Sequence, residues 1–305
     1  MELRHLRYFV AVAQERNFTR AAERLGIAQP PLSRQIKDLE TELGAPLFVR
    51  DARPIALTEA GRLLLEHANI LLANADHLRT SMARLIAAER RRYVIGFVGS
   101  TIYGPVPQLI RRFREAAPDY DVDLIEMNTV TQIPALKQGR IDAGLGRLTF
   151  EDVAIRRRVI EKECLVVAVP RDHPLAEAEA PIPLAAIAAE TLILYPSEPR
   201  PSYADQVQAI FREHDVAVPH IREVRELQTA LGLVAAQSGL CLVPASVQRL
   251  QRDDILYRPV AEAEAQSPII LSWRAADTTQ ATALLAEICS ELAAEHAAPG
   301  QPTPY

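Results

Sequence analysis

One short run of side chains has the residue types and spacing of a contact surface for DNA. It lies within the segment QPPLSRQIK and comprises Gln29, Pro30, Pro31, Ser33, Arg34 and Lys37. An arginine can donate two hydrogen bonds to a guanine, a glutamine can pair in the same way with an adenine, and serine or lysine can hold phosphates. The chemistry that this run indicates is base reading and phosphate contact in the major groove of a DNA duplex.

Two predicted helices position these residues. Asn17 is a suitable N-cap for the helix FTRAAERL, and Gly26 ends that helix. The second helix opens at Gln29, where prolines are tolerated because the first N–H groups of a helix have no intrahelical partner. Apolar residues then recur at steps of four, three and four from Leu32. The pattern predicts a helix-turn-helix, with an ordinary αα-hairpin as the alternative.

The flanking segments complete a predicted DNA-binding domain at residues 1–58. The first helix of the chain has an apolar face, which predicts a three-helix core. The segment LFVRDARPIALT is typical of a wing, in which we expect Arg50, Arg53 and Pro54 to contact phosphates or the minor groove. A plain surface hairpin is the alternative at this segment.

A long helix is predicted within a linker at residues 59–92. Leucines recur along it every seven residues, at Leu64, Leu71, Leu78 and Leu85. A seam sustained over three heptads favours pairing with a second helix. A lone core helix would show the same stripe, but a linker helix beyond a small domain has little else to pack on. We therefore expect a homodimer, which would present two reading helices to two DNA half-sites.

This order of elements resembles the LysR-type transcriptional regulators. The similarity lies in AAERLGIAQPPLSRQIKDLETELGAPLF, the wing and LTEAGRLLL, and it covers about ninety residues. The resemblance implies an N-terminal winged helix-turn-helix that binds operator DNA, a dimerisation helix and a C-terminal effector domain of the periplasmic-binding-protein kind. It also implies assembly of dimers into a homotetramer and a contact with RNA polymerase.

The rest of the chain predicts a two-lobed α/β domain at residues 93–298. Strand and helix patterns alternate from YVIGFVG to LCLVPA, which favours parallel sheets covered by helices on both faces. Ligands of such sheets bind in the crevice at the carboxyl ends of the strands. We place one lobe near residues 93–163 plus 267–298, the other near residues 164–266, and a flexible tail at residues 299–305.

Hydroxyl groups follow several of the predicted strands. Ser100 and Thr101 follow the first strand of this domain, Thr129 follows the second, and Ser202 follows TLILY. Helix N-termini have free N–H groups and partial positive charge, so hydroxyls beside them favour a carboxylate, and Arg147 would add a full charge. Helix capping explains each hydroxyl equally well when it is considered alone. The prediction of a site for a small acid therefore depends on whether these hydroxyls meet in one crevice.

This half is also similar to one branch of the family, the muconate-responsive regulators of benzoate and catechol degradation. The similarity lies in ALKQGRID, LYP, RPSYA and RELQTALGLVAA. It implies a transcriptional activator with no cofactor, whose inducer is cis,cis-muconate or a similar small carboxylate. It also implies an effector site lined by Ser100, Thr129, Pro201 and Tyr203, with Val98 in an apolar floor. A different acid, such as a chloromuconate, and a different operon are the alternatives.

One departure argues against direct sensing of benzoate. Members of the branch that sense benzoate use a second, buried pocket with an arginine and a tyrosine. Here the corresponding strand is IRRRVIEK, which places Glu161 where the arginine is expected. The last helix, predicted from Asp277 to Ala297, contains no tyrosine. We therefore expect a sensor of muconate alone.

Composition agrees with a DNA-binding head on an acidic body. The chain has 305 residues, of which 49% are hydrophobic, enough for two or three domains with cores of their own. Residues 1–92 carry 15 Lys and Arg against 11 Asp and Glu, and residues 93–305 carry 19 against 28. The basic excess therefore lies on the part of the chain that is predicted to meet DNA.

Other classes of protein find little support in the sequence. The seven histidines lack the spacing of a zinc site, the three cysteines are scattered, and the nucleophile elbow, the P-loop and the dinucleotide fingerprint are absent. We therefore expect neither an enzyme nor a metal protein. The charged first helix is unlike a signal peptide, and no apolar run reaches the roughly 18 residues of a membrane span. These features favour a cytoplasmic protein over a periplasmic solute-binding protein.

Overall fold

The chain folds into two compact units. The computed structural model describes residues 1–49, 52, 54–86 and 91–297, without the side chains at positions 77, 80, 81, 83–86, 296 and 297. The first unit comprises residues 1–89 together with the short segment 138–140, and the second comprises residues 90–137 and the chain from residue 141 onward. The predicted tail lies outside the described residues. Among the described residues, no helix combines the length and hydrophobicity needed to cross a membrane.

The first unit is a helical head with a small hairpin. Its elements in chain order are α1 Leu3–Glu15, α2 Phe18–Leu25, α3 Gln29–Leu43, β1 Phe48–Val49, β2 Ala56–Leu57 and α4 Glu59–Ile86. The first three helices bury Phe9, Ala21 and Leu32 in one core. Phe48 of the hairpin packs its ring 5.3 Å from that of Phe9, so the hairpin is attached to the same core.

The helix boundaries of the head are those that the sequence predicts. Asn17 Oδ1 accepts hydrogen bonds from the amides of Thr19 at 2.8 Å and Arg20 at 3.2 Å, which caps α2. Gly26 follows α2 with φ +67°, a conformation that an L-residue rarely adopts. The predicted stripe on α3 ends early, because Leu39 is buried whereas Leu43 is 41% exposed.

The predicted wing contains a two-stranded antiparallel hairpin. Phe48 pairs with Leu57, and Val49 pairs with Ala56. Pro54 is exposed between these strands. The other two residues that we predict to contact DNA from the wing, Arg50 and Arg53, lie outside the described residues.

Helix α4 is continuous over 28 residues, in agreement with the predicted long helix. Its first half packs on the head, where Ala68 is buried and Leu64 is partly buried. A Cβ atom added at Gly61 would lie 2.1 Å from the carbonyl oxygen of Leu47, so glycine is required for this close approach. Farther along, Leu71 and Leu78 are 45% and 62% exposed, and the side chain of Leu85 lies outside the described ones.

The second unit is an α/β structure with one large sheet. Its helices are α5 Val106–Ala116, α6 Thr129–Lys137, α7 Leu184–Ala188, α8 Tyr203–Glu213, α9 Leu227–Ala235 and α10 Gln280–Ala297. Its strands are β3 Arg91–Phe97, β4 Tyr120–Glu126, β5 Ala143–Gly146, β6 Ile155–Pro170, β7 Leu192–Leu194, β8 Ile221–Glu223, β9 Cys241–Pro244, β10 Ile255–Pro259 and β11 Gln266–Arg274. Seven strands form the order β10-β6-β11-β5-β3-β4, with β9 also paired to β6, and β7 pairs with β8 separately.

The prediction of parallel sheets is right for only part of this unit. Strand β3 is parallel to β4 and β5, and β7 is parallel to β8. Strand β6, however, is antiparallel to β9, β10 and β11. The predicted strand IRRRVIEK and the later apolar segment LVVAVP both belong to this single 16-residue strand. Strand β6 runs from the first hydrophobic core into the second, and β11 runs beside it in the opposite direction. The pairing of β6 with β11 is therefore antiparallel.

Two hydrophobic cores define two lobes. The first lobe centres on Ile95 and Phe113, and the second on Val167 and Leu231. Strand β6 contributes Ile160 to the first core and Val167 to the second, so it links the lobes directly. This continuous link places residues in the middle of β6 between the two cores.

Candidate functional site

The N-terminal part of α3 presents polar side chains on an exposed face. Leu32 and Ile36 are buried in the head, whereas Gln29, Arg34 and Lys37 point away from it and are exposed. Pro30 and Pro31 are exposed in the first turn, and Ser33 is half-buried. Gln29 Nε2 donates a hydrogen bond to Ser33 Oγ at 2.7 Å, which fixes the amide at the start of the helix.

The two cations of this face are available for an anionic partner. Within the described part of the chain, the Arg34 and Lys37 side chains form no hydrogen bond or ion pair. By contrast, Arg20 and Arg24 of the neighbouring helix α2 both pair with Glu15. A helix terminus with unpaired cations suits the phosphates and base edges of a DNA groove. Base reading by Arg34 stays a prediction.

In the second unit, three parallel strands bring three predicted effector residues together. Strands β4, β3 and β5 lie side by side, so their carboxyl ends meet at one edge. Ser100 follows β3, Thr129 begins α6 after β4, and Arg147 follows β5. Arg147 Nε donates to Ser100 Oγ at 2.8 Å, and the Arg147 amide donates to Thr129 Oγ1 at 3.2 Å. These three residues therefore lie together at the carboxyl ends of the strands, as the sequence predicts.

A glycine at the end of β5 permits this close packing. A Cβ atom added at Gly146 would lie 2.7 Å from Cγ2 and 2.8 Å from Oγ1 of Thr129. Such contacts are too short for any larger residue without movement of Thr129. The glycine of DAGLG therefore serves the approach of β5 to the N-terminus of α6.

The charge of Arg147 is already compensated within the fold. Its Nη2 lies 2.6 Å from Glu163 Oε2, and the two side chains are 2% and 0% exposed. The amide of Ser246 donates to Glu163 Oε1 at 3.2 Å. Sequence reasoning missed Glu163, although a carboxylate beside the apolar run LVVAVP was a signal of a buried charge. The polar cluster is therefore built on a neutral ion pair rather than on a free cation.

Hydrogen bonds continue from Arg147 to the second lobe. Arg147 Nη1 lies 3.5 Å from Ser267 Oγ, which in turn donates to Gln206 Oε1 at 3.0 Å. Ser267 is opposite Glu163 in the β6–β11 ladder, and Gln206 lies on α8. Neither Ser267 nor Gln206 was predicted from the sequence, because only the antiparallel register brings them to the crevice.

On the second lobe, the predicted hydroxyls have structural partners. Ser202 Oγ donates to the Pro196 carbonyl at 2.8 Å and accepts from the Ala204 amide at 3.2 Å, so it caps α8. Tyr203 Oη donates to the Leu242 carbonyl at 3.3 Å. Pro201, directly before Ser202 in the sequence, is exposed at the end of the loop that precedes α8.

Two first-lobe residues also have structural roles. Thr101 Oγ1 donates to the carbonyl of Val98 at 2.7 Å, and Thr101 is fully buried. Val98 itself is half-buried at the end of β3. Helix or turn capping therefore accounts for the hydroxyls of Thr101 and Ser202, whereas Ser100 and Thr129 contact Arg147.

The loop before α8 is held by an acid–base network. Arg200 Nη1 lies 2.7 Å from Asp205 Oδ1, and the Ser202 amide donates to Asp205 Oδ2 at 2.6 Å. Partial burial raises the pKa of Asp205, but the hydrogen bonds from Arg200 and Ser202 outweigh it and hold the pKa below its usual value. Asp205 is therefore ionised near neutral pH and fixes the loop before α8.

A helix with an exposed cationic face in one unit and a polar cluster between two lobes in the other define a class of protein. A head of this kind binds DNA, and a crevice of this kind binds a small ligand. The described residues contain no group of three or more His, Cys, Asp or Glu side chains placed to hold a metal ion. The class is a ligand-responsive DNA-binding regulator.

Comparison with known proteins gives the family. Residues 3–62 match the bacterial regulatory helix-turn-helix protein model of the lysR family, and residues 87–294 match the LysR substrate binding domain. The chain belongs to the LysR family of DNA-binding transcriptional regulators. Its members are regulators rather than enzymes.

Two relatives, one of them with a solved structure, illustrate the similarity. A probable cat1 operon transcriptional activator of Acinetobacter lwoffii is 47% identical over 298 residues, 98% of each chain. The regulator BenM of Acinetobacter baylyi is 46% identical over 275 residues, 90% of each chain. The crystal structure of full-length BenM matches 99% of this chain and 100% of its own with a TM-score of 0.65 and 42% identity.

Two further structures bear on ligands and DNA. The effector binding domain of BenM, solved with its effector benzoate, is 38% identical over 71% of this chain and 98% of its own, with a TM-score of 0.65. Full-length CbnR, solved with its target DNA, is 31% identical over 96% of this chain and 100% of its own, with a TM-score of 0.69.

Proposed function

We propose that this regulator activates genes for the degradation of aromatic compounds when cis,cis-muconate or a similar small carboxylate binds between its lobes. The observation that carries the proposal is the cluster of Ser100, Thr129 and Arg147 at the carboxyl ends of three parallel strands. The similarity to a cat1 operon activator and to BenM supports the choice of operon. The alternative is a LysR-type regulator that responds to another small organic acid and controls another operon.

The crevice suits a small planar dicarboxylate in three respects. Oriented hydroxyl and N–H groups on the first lobe provide donors for one carboxylate. The N-terminus of α8, with its partial positive charge, favours a second carboxylate at Pro201, Ser202 and Tyr203. Val98, Pro201 and the ring of Tyr203 supply apolar surface for the carbon chain between them.

Inducer binding would act by a shift of population between lobe arrangements. The route from Arg147 through Ser267 to Gln206 joins the lobes by hydrogen bonds. A ligand with contacts on both lobes binds one arrangement more tightly and stabilises it by that difference in affinity. In this mechanism the change reaches DNA as a new spacing of the heads and a new bend of the operator.

Assembly through α4 is part of the proposal. Leu71 and Leu78 form an exposed apolar seam that a second copy of α4 can cover, while Leu64 starts the seam beside the head. Leu85 continues the heptad spacing. We propose dimers that assemble into tetramers on an interrupted palindrome in the cytoplasm, where the activated complex contacts RNA polymerase.

A footprint on the operator tests the proposed mechanism. DNase I protection by the full-length protein should differ between saturating cis,cis-muconate and no ligand, with altered protection or new hypersensitive sites between the half-sites. A change in head spacing or DNA bend alters which phosphates are accessible. Identical footprints under both conditions, with muconate shown to be bound, would contradict the spacing mechanism.

A further inference from the structure

A buried tyrosine beside the crevice has a hydroxyl group without a partner. Tyr195 follows β7 directly, at the carboxyl end of that strand, and is only 6% exposed. Its ring centroid lies 5.2 Å from that of Tyr203. Among the described residues, no atom forms a hydrogen bond with Tyr195 Oη. Because an unpaired buried hydroxyl costs free energy, this one requires an explanation.

Three other buried or half-buried phenols of this unit are paired. Tyr203 Oη donates to the Leu242 carbonyl at 3.3 Å, and Tyr257 Oη donates to the Leu250 carbonyl at 3.3 Å. Tyr93 Oη shares a hydrogen bond with Thr282 Oγ1 at 2.9 Å. Of the two adjacent tyrosines, Tyr203 therefore uses its hydroxyl within the fold, whereas the hydroxyl of Tyr195 has no partner among the described residues.

The surroundings of Tyr195 connect it with the polar centre of the crevice. Burial raises the pKa of its hydroxyl well above the usual range, and the neighbouring Tyr203, Cys241 and Glu163 raise it further, while Arg147 opposes them. The group is therefore protonated at neutral pH and acts as a hydrogen-bond donor. The same Glu163 accepts from the amide of Ser246, whose own fully buried hydroxyl also has no partner among the described residues.

We propose that Tyr195 Oη donates a hydrogen bond to a carboxylate of the inducer, and that this contact helps to select carboxylate ligands. The inference rests on the proposed function and deepens it, because it adds a second-lobe donor to the first-lobe cluster. Ser202, predicted from its place after a strand, and Tyr203, implied by the resemblance, have hydroxyls with structural partners. Tyr195 supplies a free donor on that side of the crevice.

Calorimetric titration of the full-length protein with cis,cis-muconate tests this role. Tyr195→Phe removes only the hydroxyl, and it is expected to weaken binding by roughly 10- to 100-fold, as for a hydrogen bond to a charged group. Tyr257→Phe removes a phenol hydroxyl from the same lobe outside the crevice and should leave the affinity within about twofold of the wild type. The melting temperature of ligand-free Tyr195→Phe should equal or exceed that of the wild type, because no internal hydrogen bond is lost.

The outcomes separate this inference from the proposed function. Tight binding to the wild type with equal affinity for Tyr195→Phe would overturn the role of Tyr195 and leave the muconate proposal intact. That result is also expected if a water molecule, rather than the inducer, satisfies the hydroxyl. A lower melting temperature of ligand-free Tyr195→Phe with unchanged affinity would assign the hydroxyl a structural role instead. Absence of muconate binding to the wild type would overturn both proposals.

Discussion

Replacement of Glu163 by alanine is expected to lower the free energy of unfolding by about 3–5 kcal/mol. The substitution leaves the guanidinium of Arg147 buried without its carboxylate, 2.6 Å from where Oε2 lies in the wild type. It also removes the acceptor of the Ser246 amide. Trp273 is the sole tryptophan of the chain and belongs to the second unit, so its fluorescence during urea unfolding reports on the affected unit.

Two further variants show whether burial is the cause of this loss. The double replacement Arg147→Met with Glu163→Leu removes both charges, and it should be more stable than Glu163→Ala because no unpaired charge is left. Asp254→Ala breaks the exposed pair with Arg252 and should have little effect, since water screens that pair. A loss below about 1 kcal/mol for Glu163→Ala would contradict the account of a buried, structure-supporting pair.

Replacement of Arg34 by alanine is expected to weaken operator binding by about 1–3 kcal/mol, the usual cost of losing a base-reading contact. The side chain is exposed on α3 and forms no ion pair with described residues, so its removal should leave the fold unchanged. Electrophoretic mobility shift with the operator and with unrelated DNA measures the effect. The loss should be larger on the operator than on unrelated DNA, because base contacts specify sequence.

Lys37→Ala is the matched comparison on the same helix. If Lys37 contacts a phosphate, the variant should weaken binding to all sequences about equally and reduce the salt dependence of binding by roughly one unit of slope. Unchanged operator affinity of Arg34→Ala, in a protein whose melting is also unchanged, would remove Arg34 from base reading.

The head could be predicted from the sequence because its determinants are local. Helix α2 begins at its N-cap Asn17 and ends at Gly26, as expected. The prolines of α3 lie in its first turn, also as expected. The hairpin of the wing could also be predicted, because only a short segment separates Phe48 and Val49 from Ala56 and Leu57, with which they pair. Local capping and periodicity are sufficient where neighbours in sequence are neighbours in space.

The crevice could be predicted only in part, because its residues meet through long-range pairing. Ser100, Thr129 and Arg147 converge as expected from parallel strand ends. Glu163 and Ser267 face each other only because β6 and β11 are antiparallel, and strand periodicity does not reveal the direction of pairing. Whether a hydroxyl caps a helix, as in Ser202, or stays unpaired, as in Tyr195, depends on tertiary neighbours that the sequence does not specify.

Thermal melting of the full-length protein is the most direct test of whether the crevice binds cis,cis-muconate. The melt is compared without ligand and with cis,cis-muconate, benzoate or succinate at matched pH and ionic strength. A ligand that binds only the folded state adds about 2.7 kcal/mol at a hundredfold excess over its dissociation constant, which shifts the melting temperature measurably. We predict stabilisation by muconate and not by benzoate or succinate, since Glu161 stands where a benzoate-binding arginine is expected. Melting unchanged by muconate would contradict binding in the crevice, and stabilisation by benzoate would contradict its restriction to muconate.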